Sequence, residues 1–390
     1  MKKLAIVTTH PIQYNAPFFA LLASSGKLDV KVFYTWEQSQ AGKLYDPNFK
    51  REISWDIPLL DGYNYQFSKN SSSNPGSSHF SGIDNPNLIQ EISEFSPDGL
   101  LVFGWSFKSH LKLLRHFSGK VPILFRGDST LLDEPKNFSV KKLIRRMLLS
   151  WVYKHIDAAL YTGEANREYF IKHGIAKDHL FYAPHAIDNS RFKYASLAEE
   201  KAEKWRLELG IASNEKVILF AGKLEPKKNP LGLMRAFKEL NIPKTHLIIV
   251  GTGVLEASLK ELAAGDPRIH FLGFQNQQSM PVVYRLADIF VLPSVGPGET
   301  WGLALNEAMA CNRTVIASDL CGATEDLVNK CGIGWQFEGR NQASLKETLQ
   351  KALALERKDL LELGGNAGKL IDKFSFDAIA NAVIEWTETN

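Results

Sequence analysis

The sequence predicts an α/β protein of two domains, each built on a parallel sheet. Three observations lead there. The chain has 390 residues, enough for two domains with cores of ordinary size. Its first 34 residues read strand, loop, helix, strand. The stretch from Asp288 to Ala317 repeats that order, and a strand–helix–strand alternation argues for parallel pairing.

Composition sets limits on function. Hydrophobic residues make up 44% and charged residues 23%, the make-up of a globular chain. A net charge of +3 is too small to argue for nucleic acid. Cys311, Cys321 and Cys331 stand ten apart with no histidine among them, which fits no zinc pattern and suits a reduced cytosol. The Met-Lys-Lys start precedes an apolar run too short for a signal peptide, and His10-Pro11 ends it. No run reaches the roughly 18 apolar residues a membrane span needs.

In chain order, Leu4 to Thr8 is a buried strand, followed by the loop His10 to Asn15, a helix from Pro17 to Ser24 and a second strand from Leu28 to Tyr34. His10 and Gln13 fall at the carboxyl end of the first strand, where such sheets bind ligands. A histidine there is a ligand or catalytic candidate, or a structural hydrogen bonder. Trp36 to Phe67 holds Tyr45, Phe49, Trp55, Tyr63, Tyr65 and Phe67, either a sugar-binding wall or a packed insertion. Ser68 to Gly82 reads as a mobile serine-rich loop. Asp98–Gly104, Val121–Phe125 and Asp157–Tyr161 are further strands, and Ser106–Phe117 is helical. Gly104-Trp105-Ser106 and Arg126-Gly127-Asp128-Ser129 end two of them, and Arg126 and Asp128 can simply pair.

Ser139 to Tyr153 is an amphipathic helix, with Leu143, Ile144, Met147, Leu148, Trp151 and Val152 on one face and Lys141, Lys142, Arg145 and Arg146 on the other. One reading is a core helix with a solvated charged face. The other is docking on anionic lipid at the membrane surface. Phe181 to Asp188 ends the first domain, and the charged helical stretch Ser196 to Leu209 leads into the second.

Lys216 to Ala221 is the next strand, with Gly222-Lys-Leu-Glu-Pro-Lys-Lys228 at its mouth and a helix from Pro230 to Glu239. His246–Val250 ends in Gly251-Thr-Gly253, and Ile269–Phe274 follows. Then come the strand Asp288–Leu292, the turn Gly296-Pro297-Gly298, a helix from Leu303 to Met309 and the strand Arg313–Ala317. Glu299 lies on the loop before that helix and Glu307 about two turns into it. Free N–H groups and the positive dipole end suit a diphosphate there, and a carboxylate further along suits a ribose diol. Lys223 and Lys228, facing that helix, would complete the diphosphate site.

From Lys216 to Phe376 this order resembles the donor domain of family 4 of the retaining, GT-B-fold glycosyltransferases. The matching pieces are Phe220-Ala-Gly-Lys-Leu, Lys228, Ile248-Ile-Val-Gly-Thr-Gly, Phe271-Leu-Gly-Phe, Pro293-Ser and the Glu-x7-Glu unit. The resemblance implies two Rossmann-like domains facing across a cleft: 1–195 for the acceptor, 196–375 for a nucleotide-diphosphate sugar, and a last segment, 376–390, crossing back onto the first domain. It further implies a donor site of Gly222, Lys223, Lys228, Gly251, Phe274, Glu299, Trp301, Gly302, Leu303 and Glu307. Lys223 and Lys228 would take the diphosphate, Glu307 the ribose hydroxyls and Glu299 the transferred sugar, with His10 a catalytic candidate.

The chain departs from the family in three places. Lysine stands at 223 where arginine is usual, His10-Pro-Ile-Gln-Tyr replaces a glycine pair, and Gly104-Trp105 stands near a customary histidine. No Asp-x-Asp occurs, so the expectation is transfer without a metal or other cofactor. The expected acceptor is a glycan, a lipid-linked saccharide or another precursor of cell-surface polysaccharide, in the cytoplasm or at the inner face of the membrane. A nucleotide-sugar-binding protein without transfer activity is the alternative. A dinucleotide-dependent oxidoreductase is a poorer one, since no Gly-x-Gly-x-x-Gly follows the first strand.

Overall fold

The computed structural model describes residues 1–36, 44–46, 51–53, 56–132, 134, 139–193 and 197–389. Phe49, Trp55, the Tyr45 side chain and Ser196 lie outside the described residues. The chain divides into two compact units. One comprises 1–44, 57–184 and 376–390, the other 45–56 and 185–375. That grouping closes the first unit before His185, earlier than the boundary expected at 195.

The strands of the first unit are β1 (Lys2–Thr8), β2 (Leu28–Tyr34), then beyond the small pair β3 (Leu44–Asp46) and β4 (Arg51–Ile53), β5 (Asn64–Phe67), β6 (Gly99–Phe103), β7 (Ile123–Arg126), β8 (Ala158–Tyr161) and β9 (Leu180–Tyr182). They form a seven-stranded sheet in the order β5-β2-β1-β6-β7-β8-β9, parallel throughout. Its helices are α1 (Ala16–Ser24), α2 (Leu88–Phe95), α3 (Lys108–Phe117), α4 (Val140–Tyr153) and α5 (Glu164–Lys172). Strands covered on both faces must be apolar along their length, and Leu4 to Val7 and Leu100 to Val102 are accordingly buried. Val7, Phe33, Leu100, Phe117, Phe125 and Phe170 belong to one core.

The second unit carries α6 (Asn189–Lys193), α7 (Ala198–Glu208), β10 (Lys216–Ala221), α8 (Pro230–Leu240), β11 (Thr245–Val250), α9 (Glu256–Ala263), β12 (Ile269–Leu272), α10 (Met280–Arg285), β13 (Ile289–Leu292), α11 (Leu303–Ala310), β14 (Thr314–Ser318), β15 (Trp335–Phe337), α12 (Gln342–Leu353) and α13 (Arg357–Leu370). Its six strands run β12-β11-β10-β13-β14-β15, again all parallel. The core joins Phe220, Leu233, Phe237, Ile249, Val291 and Ile316.

The last helix, α14 (Phe376–Thr389), belongs to the first unit. Its Trp386 is fully buried, and Lys2 Nζ donates to Thr387 O at 2.6 Å. Gly99 leaves room for that indole: a Cβ there would stand 3.2 Å from the ring.

In both sheets the strand order reverses beside the first strand. The reversal falls between β1 and β6 in one unit and between β10 and β13 in the other. Parallel sheets bind ligands outside the carboxyl ends of strands at such points. His10 follows β1; Lys223 follows β10 and Glu299 follows β13.

The structure decides between readings that the sequence left open in three places. α4 does not turn its apolar stripe to the core: Leu143, Ile144, Met147, Leu148 and Trp151 are exposed, and Leu149, Val152 and Tyr153 face inward. Periodicity specifies a stripe, not what it meets. The serine-rich stretch is not a bare loop but a hydrogen-bonded one. Asn70 Nδ2 donates to Gly82 O at 2.8 Å, Asn70 Oδ1 accepts from Asp84 N at 2.9 Å, and Ser72 Oγ donates to Ser81 O at 2.7 Å. Tyr63 and Phe67 pack rather than line a wall, the Tyr63 and Tyr34 hydroxyls 2.6 Å apart and Phe67 stacked on Tyr34.

Candidate functional site

At the reversal of the second sheet, two loops meet. After β10 the chain turns through Gly222 and Lys223 to a short 3-10 turn, Pro226–Lys228. Asn229 then sits in the left-handed region at φ 52° and caps α8, its Oδ1 accepting from Gly232 N at 3.2 Å. Proline starts that turn and asparagine tolerates the positive φ, so Lys228 is held just ahead of α8. The loop after β13 is fastened to it by Val295 N donating to Lys227 O at 2.8 Å.

Those contacts bring Lys228 and Glu299 together. The Lys228 ammonium pairs directly with Glu299 Oε2, and Ser294 Oγ donates to the same oxygen at 2.8 Å. Glu299 is only 7% exposed and Lys228 19%, so the carboxylate is held by two partners in a largely dry position. An ammonium has three donors, and this pair engages one of them.

α11 begins next to this couple. Its N-cap is Gly302 at φ 100°, where an added Cβ would lie 2.7 Å from both Cys321 Sγ and Leu292 Cδ2. No side chain caps the helix, which leaves the first-turn N–H groups of half-buried Leu303 and Ala304 directed out of the helix end. Glu307 is buried one turn into the helix, nearer its start than the two turns expected, and Tyr284 OH donates to its Oε2 at 2.7 Å.

The loop carrying Glu299 is backed by the turn after β14. Gly322 N donates to Glu299 O and Ala323 N to Trp301 O, each at 3.0 Å. A Cβ on Gly322 would come within 1.7 Å of Thr300 O, so only glycine permits that approach. Burial pushes the Cys321 thiol up to about 12, and its Sγ donates to Trp301 O at 2.7 Å.

Among the expected donor residues, Trp301 serves packing through its side chain. The indole is 3% exposed, its Nε1 donates to Asn306 Oδ1 at 2.8 Å, and the ring lies 6.1 Å from Phe374. Gly251, at φ 126°, admits the neighbouring loop: a Cβ there would lie 2.0 Å from Gly222 O. Leu224 N donates to Thr252 O at 3.0 Å across the same contact. Lys223 and Phe274 are half-buried on loops at the carboxyl ends of β10 and β12. Ser294, Tyr284, Asn306 and Gly322 were not singled out from sequence. Ser294 and Asn306 stand inside the matching pieces Pro293-Ser and Glu299-x7-Glu307, where a signal existed, but Gly322 lies beyond them and Tyr284 lies in a helix with none.

In the first unit, His10 Nδ1 lies 2.9 Å from Thr9 Oγ1 and its ring meets Trp36 edge-on at 5.4 Å. Burial lowers its pKa to about 4, so the imidazole is neutral at neutral pH. Nearby in that sheet edge, Arg126 donates to Ala183 O at 3.0 Å and Pro184 O at 3.3 Å, and Asp128 acts on it through charge.

The chain is similar to several known proteins. Residues 201–388 match the family model described as "Glycosyl transferases group 1". A D-inositol 3-phosphate glycosyltransferase of Nocardia farcinica is 30% identical over 236 residues, 57% of this chain and 50% of that protein. A GDP-mannose-dependent monoacylated alpha-(1-6)-phosphatidylinositol monomannoside mannosyltransferase of Corynebacterium glutamicum is 31% identical over 180 residues, 44% of this chain and 46% of that one. The chain thus spans about half the length of the curated relatives it matches. Among solved structures, Anabaena HepE in complex with UDP and glucose superposes with a TM-score of 0.71 at 17% identity, covering 100% of both chains. Sucrose-phosphate synthase from Thermosynechococcus elongatus gives 0.72 at 17% identity, covering 100% of this chain and 99% of that one. The fold is that of the GT-B glycosyltransferases: two Rossmann-like α/β domains, each on a parallel sheet.

Proposed function

We propose that the protein is a glycosyltransferase of family 4 that draws a sugar from a nucleotide diphosphate held by its second domain. The observation that carries this reading is the Lys228–Glu299 couple beside the uncapped start of α11, at the strand-order reversal of a parallel sheet. The match over 201–388 and the UDP bound by HepE support the donor class.

In this reading Lys228 and Lys223 take the diphosphate together with the N–H groups of Leu303 and Ala304. Cations and N–H donors fixed in advance stabilise the charge that develops on the leaving group. Gly222, Gly251 and Gly302 let backbone come close to it, and Phe274 flanks the donor. Glu307, held in place by Tyr284, accepts from the ribose hydroxyls. Glu299 faces the transferred sugar and also keeps Lys228 in position while the site is empty.

The step breaks the bond between the anomeric carbon and the diphosphate oxygen, and the electron pair stays with the diphosphate. The acceptor hydroxyl oxygen bonds to the anomeric carbon on the same face, and its proton passes to the departing phosphate. Configuration is retained. Two lysines and a helix dipole supply the positive charge at the leaving group, so no metal is assigned to the step. His10, neutral at physiological pH, is available to hydrogen bond rather than to carry charge. The acceptor we assign is a glycan or lipid-linked saccharide on a route to cell-surface polysaccharide, in the cytoplasm.

The test is release of nucleoside diphosphate from a panel of nucleotide sugars, using full-length protein dialysed against a strong chelator. One donor should be turned over, and turnover should survive the chelator. Donor binding without turnover toward any saccharide acceptor would leave a binding protein instead. Activity lost to the chelator and restored by manganese or magnesium would remove the lysine-based account of the leaving group.

A further inference from the structure

We infer that the outward face of α4 docks in the plane of an anionic lipid bilayer. This rests on the first domain alone and does not depend on the glycosyl-transfer reading. Val140, Leu143, Ile144, Met147, Leu148 and Trp151 recur at helical spacing, so they form a single stripe. All six are exposed, from 66% for Val140 to 40% for Trp151. The opposite side of the same helix holds Leu149, Val152 and Tyr153 in the core, so the stripe points away from the protein. A stripe of large apolar side chains on one exposed helix is what water disfavours most on a protein surface. The remaining large exposed apolar side chains among the described residues are scattered along the sequence.

Charge identifies the occupant. α4 carries Lys141, Lys142, Arg145 and Arg146 and no carboxylate. Lys142 is partly offset by Glu134 at 3.4 Å. Lys141 and Arg146 are exposed on the two flanks of the stripe, while Arg145, also exposed, is hydrogen-bonded to the buried Tyr169. Arg115, exposed on α3, adds a further cation over the Trp151 ring at 5.6 Å. Apolar side chains flanked by long basic ones, with an indole among them, match the interfacial region of a bilayer. The stems reach along the apolar layer and the charged ends meet headgroup phosphates. A second copy of the chain is a poor occupant, because a two-fold contact on this face would set cations against cations. Arg145 and Leu148 also line a cavity of about 460 Å³ with Trp105, Asp128 and Ser129 at the carboxyl ends of β6 and β7. Docking would bring that cavity to the membrane surface.

The experiment is sedimentation of the full-length protein with phosphatidylcholine vesicles and with mixed phosphatidylcholine–phosphatidylglycerol vesicles at low and high salt. The wild type should bind only the anionic vesicles, more weakly as salt rises. Each basic residue near such a surface contributes roughly fivefold in partitioning, so Lys141→Gln with Arg146→Gln should cost about 25-fold. Ile144→Ser/Met147→Ser/Trp151→Ser should cost about tenfold or more by removing the inserted stripe. These positions are exposed, so melting temperature should hold in both variants. No binding by the wild type overturns the proposal, as does binding that neither variant weakens. A wild type that is dimeric by light scattering and becomes monomeric in the apolar triple variant overturns it in favour of a second copy.

Discussion

Lys228 and Glu299 should behave as one energetic unit, and a double-mutant cycle measures it. In Lys228→Met the Glu299 carboxylate, 7% exposed, is left with the Ser294 hydroxyl alone. Breaking a fully buried pair on one side costs about 3–5 kcal/mol. Lys228 is a fifth exposed, so water reaches the vacated side and about 2–3 kcal/mol is the expected loss. Glu299→Gln leaves the more accessible partner, keeps volume and the Ser294 hydrogen bond, and should cost about 1 kcal/mol. With both changes no unpaired charge remains, so the double variant should be more stable than the two losses summed by about 1–2 kcal/mol. Urea denaturation at neutral pH supplies the three differences. Losses that add within about 0.5 kcal/mol would refute the coupling. In the same set, Lys228→Met should weaken a nucleoside diphosphate by about 1.5–3 kcal/mol and the parent nucleoside hardly at all. Equal losses for the two ligands would put Lys228 away from the phosphates.

Other perturbations separate the site from the scaffold. Gly302→Ala forces a side chain into positive φ and against Cys321 and Leu292, so a loss of about 2–4 kcal/mol is expected, with weaker diphosphate binding because α11 starts there. Asp288→Ala strips the fully buried Arg206 and half-exposed Arg357 of a shared carboxylate at the amino ends of β10 and β13, and should cost about 3–5 kcal/mol. That edge is opposite the candidate site, so nucleotide affinity of the folded Asp288→Ala protein should match wild type in calorimetry. Burial holds His10 and His110 at about 4 in the folded protein, below the 6.5 of an exposed histidine. The unfolded chain therefore binds more protons between those values, so stability from these two groups is whole above 6.5 and falls as pH drops toward 4. His110→Asn should flatten that dependence in urea denaturation series at several pH values.

What could be read from sequence followed burial. β10 was legible to the residue because a strand covered on both faces is apolar along nearly its whole length, and β2 because its apolar residues alternate with Asp29 and Lys31 before an apolar end. β5, Asn-Tyr-Gln-Phe, and β15, Trp-Gln-Phe, escaped because short edge strands carry polar residues and give no such run. In α13, Gly364 and Gly365 weaken the helical signal, yet a Cβ at Gly364 would sit 2.2 Å from Asn312 O, so packing demands the glycine. Lys228 and Glu299 were both visible as charged candidates on strand-end loops. Their direct pairing was not, since it depends on β10 lying beside β13 rather than on any spacing. The same limit applies to Tyr284, an ordinary helical tyrosine until the fold brings it to Glu307. In α4 the apolar period was legible and its facing was left open, because an exposed stripe beside cations leaves the same pattern as a core helix.

The central claim is that lysines and the start of α11, rather than a metal, receive the diphosphate of a nucleotide sugar. A crystal structure with the nucleoside diphosphate that most raises the melting temperature tests it most directly. The expected density has the diphosphate against Lys228, Lys223 and the Leu303 N–H, with the ribose hydroxyls on Glu307. A diphosphate bound away from the β10 and β13 loops, or held there through a divalent ion with both lysines turned aside, would contradict the account.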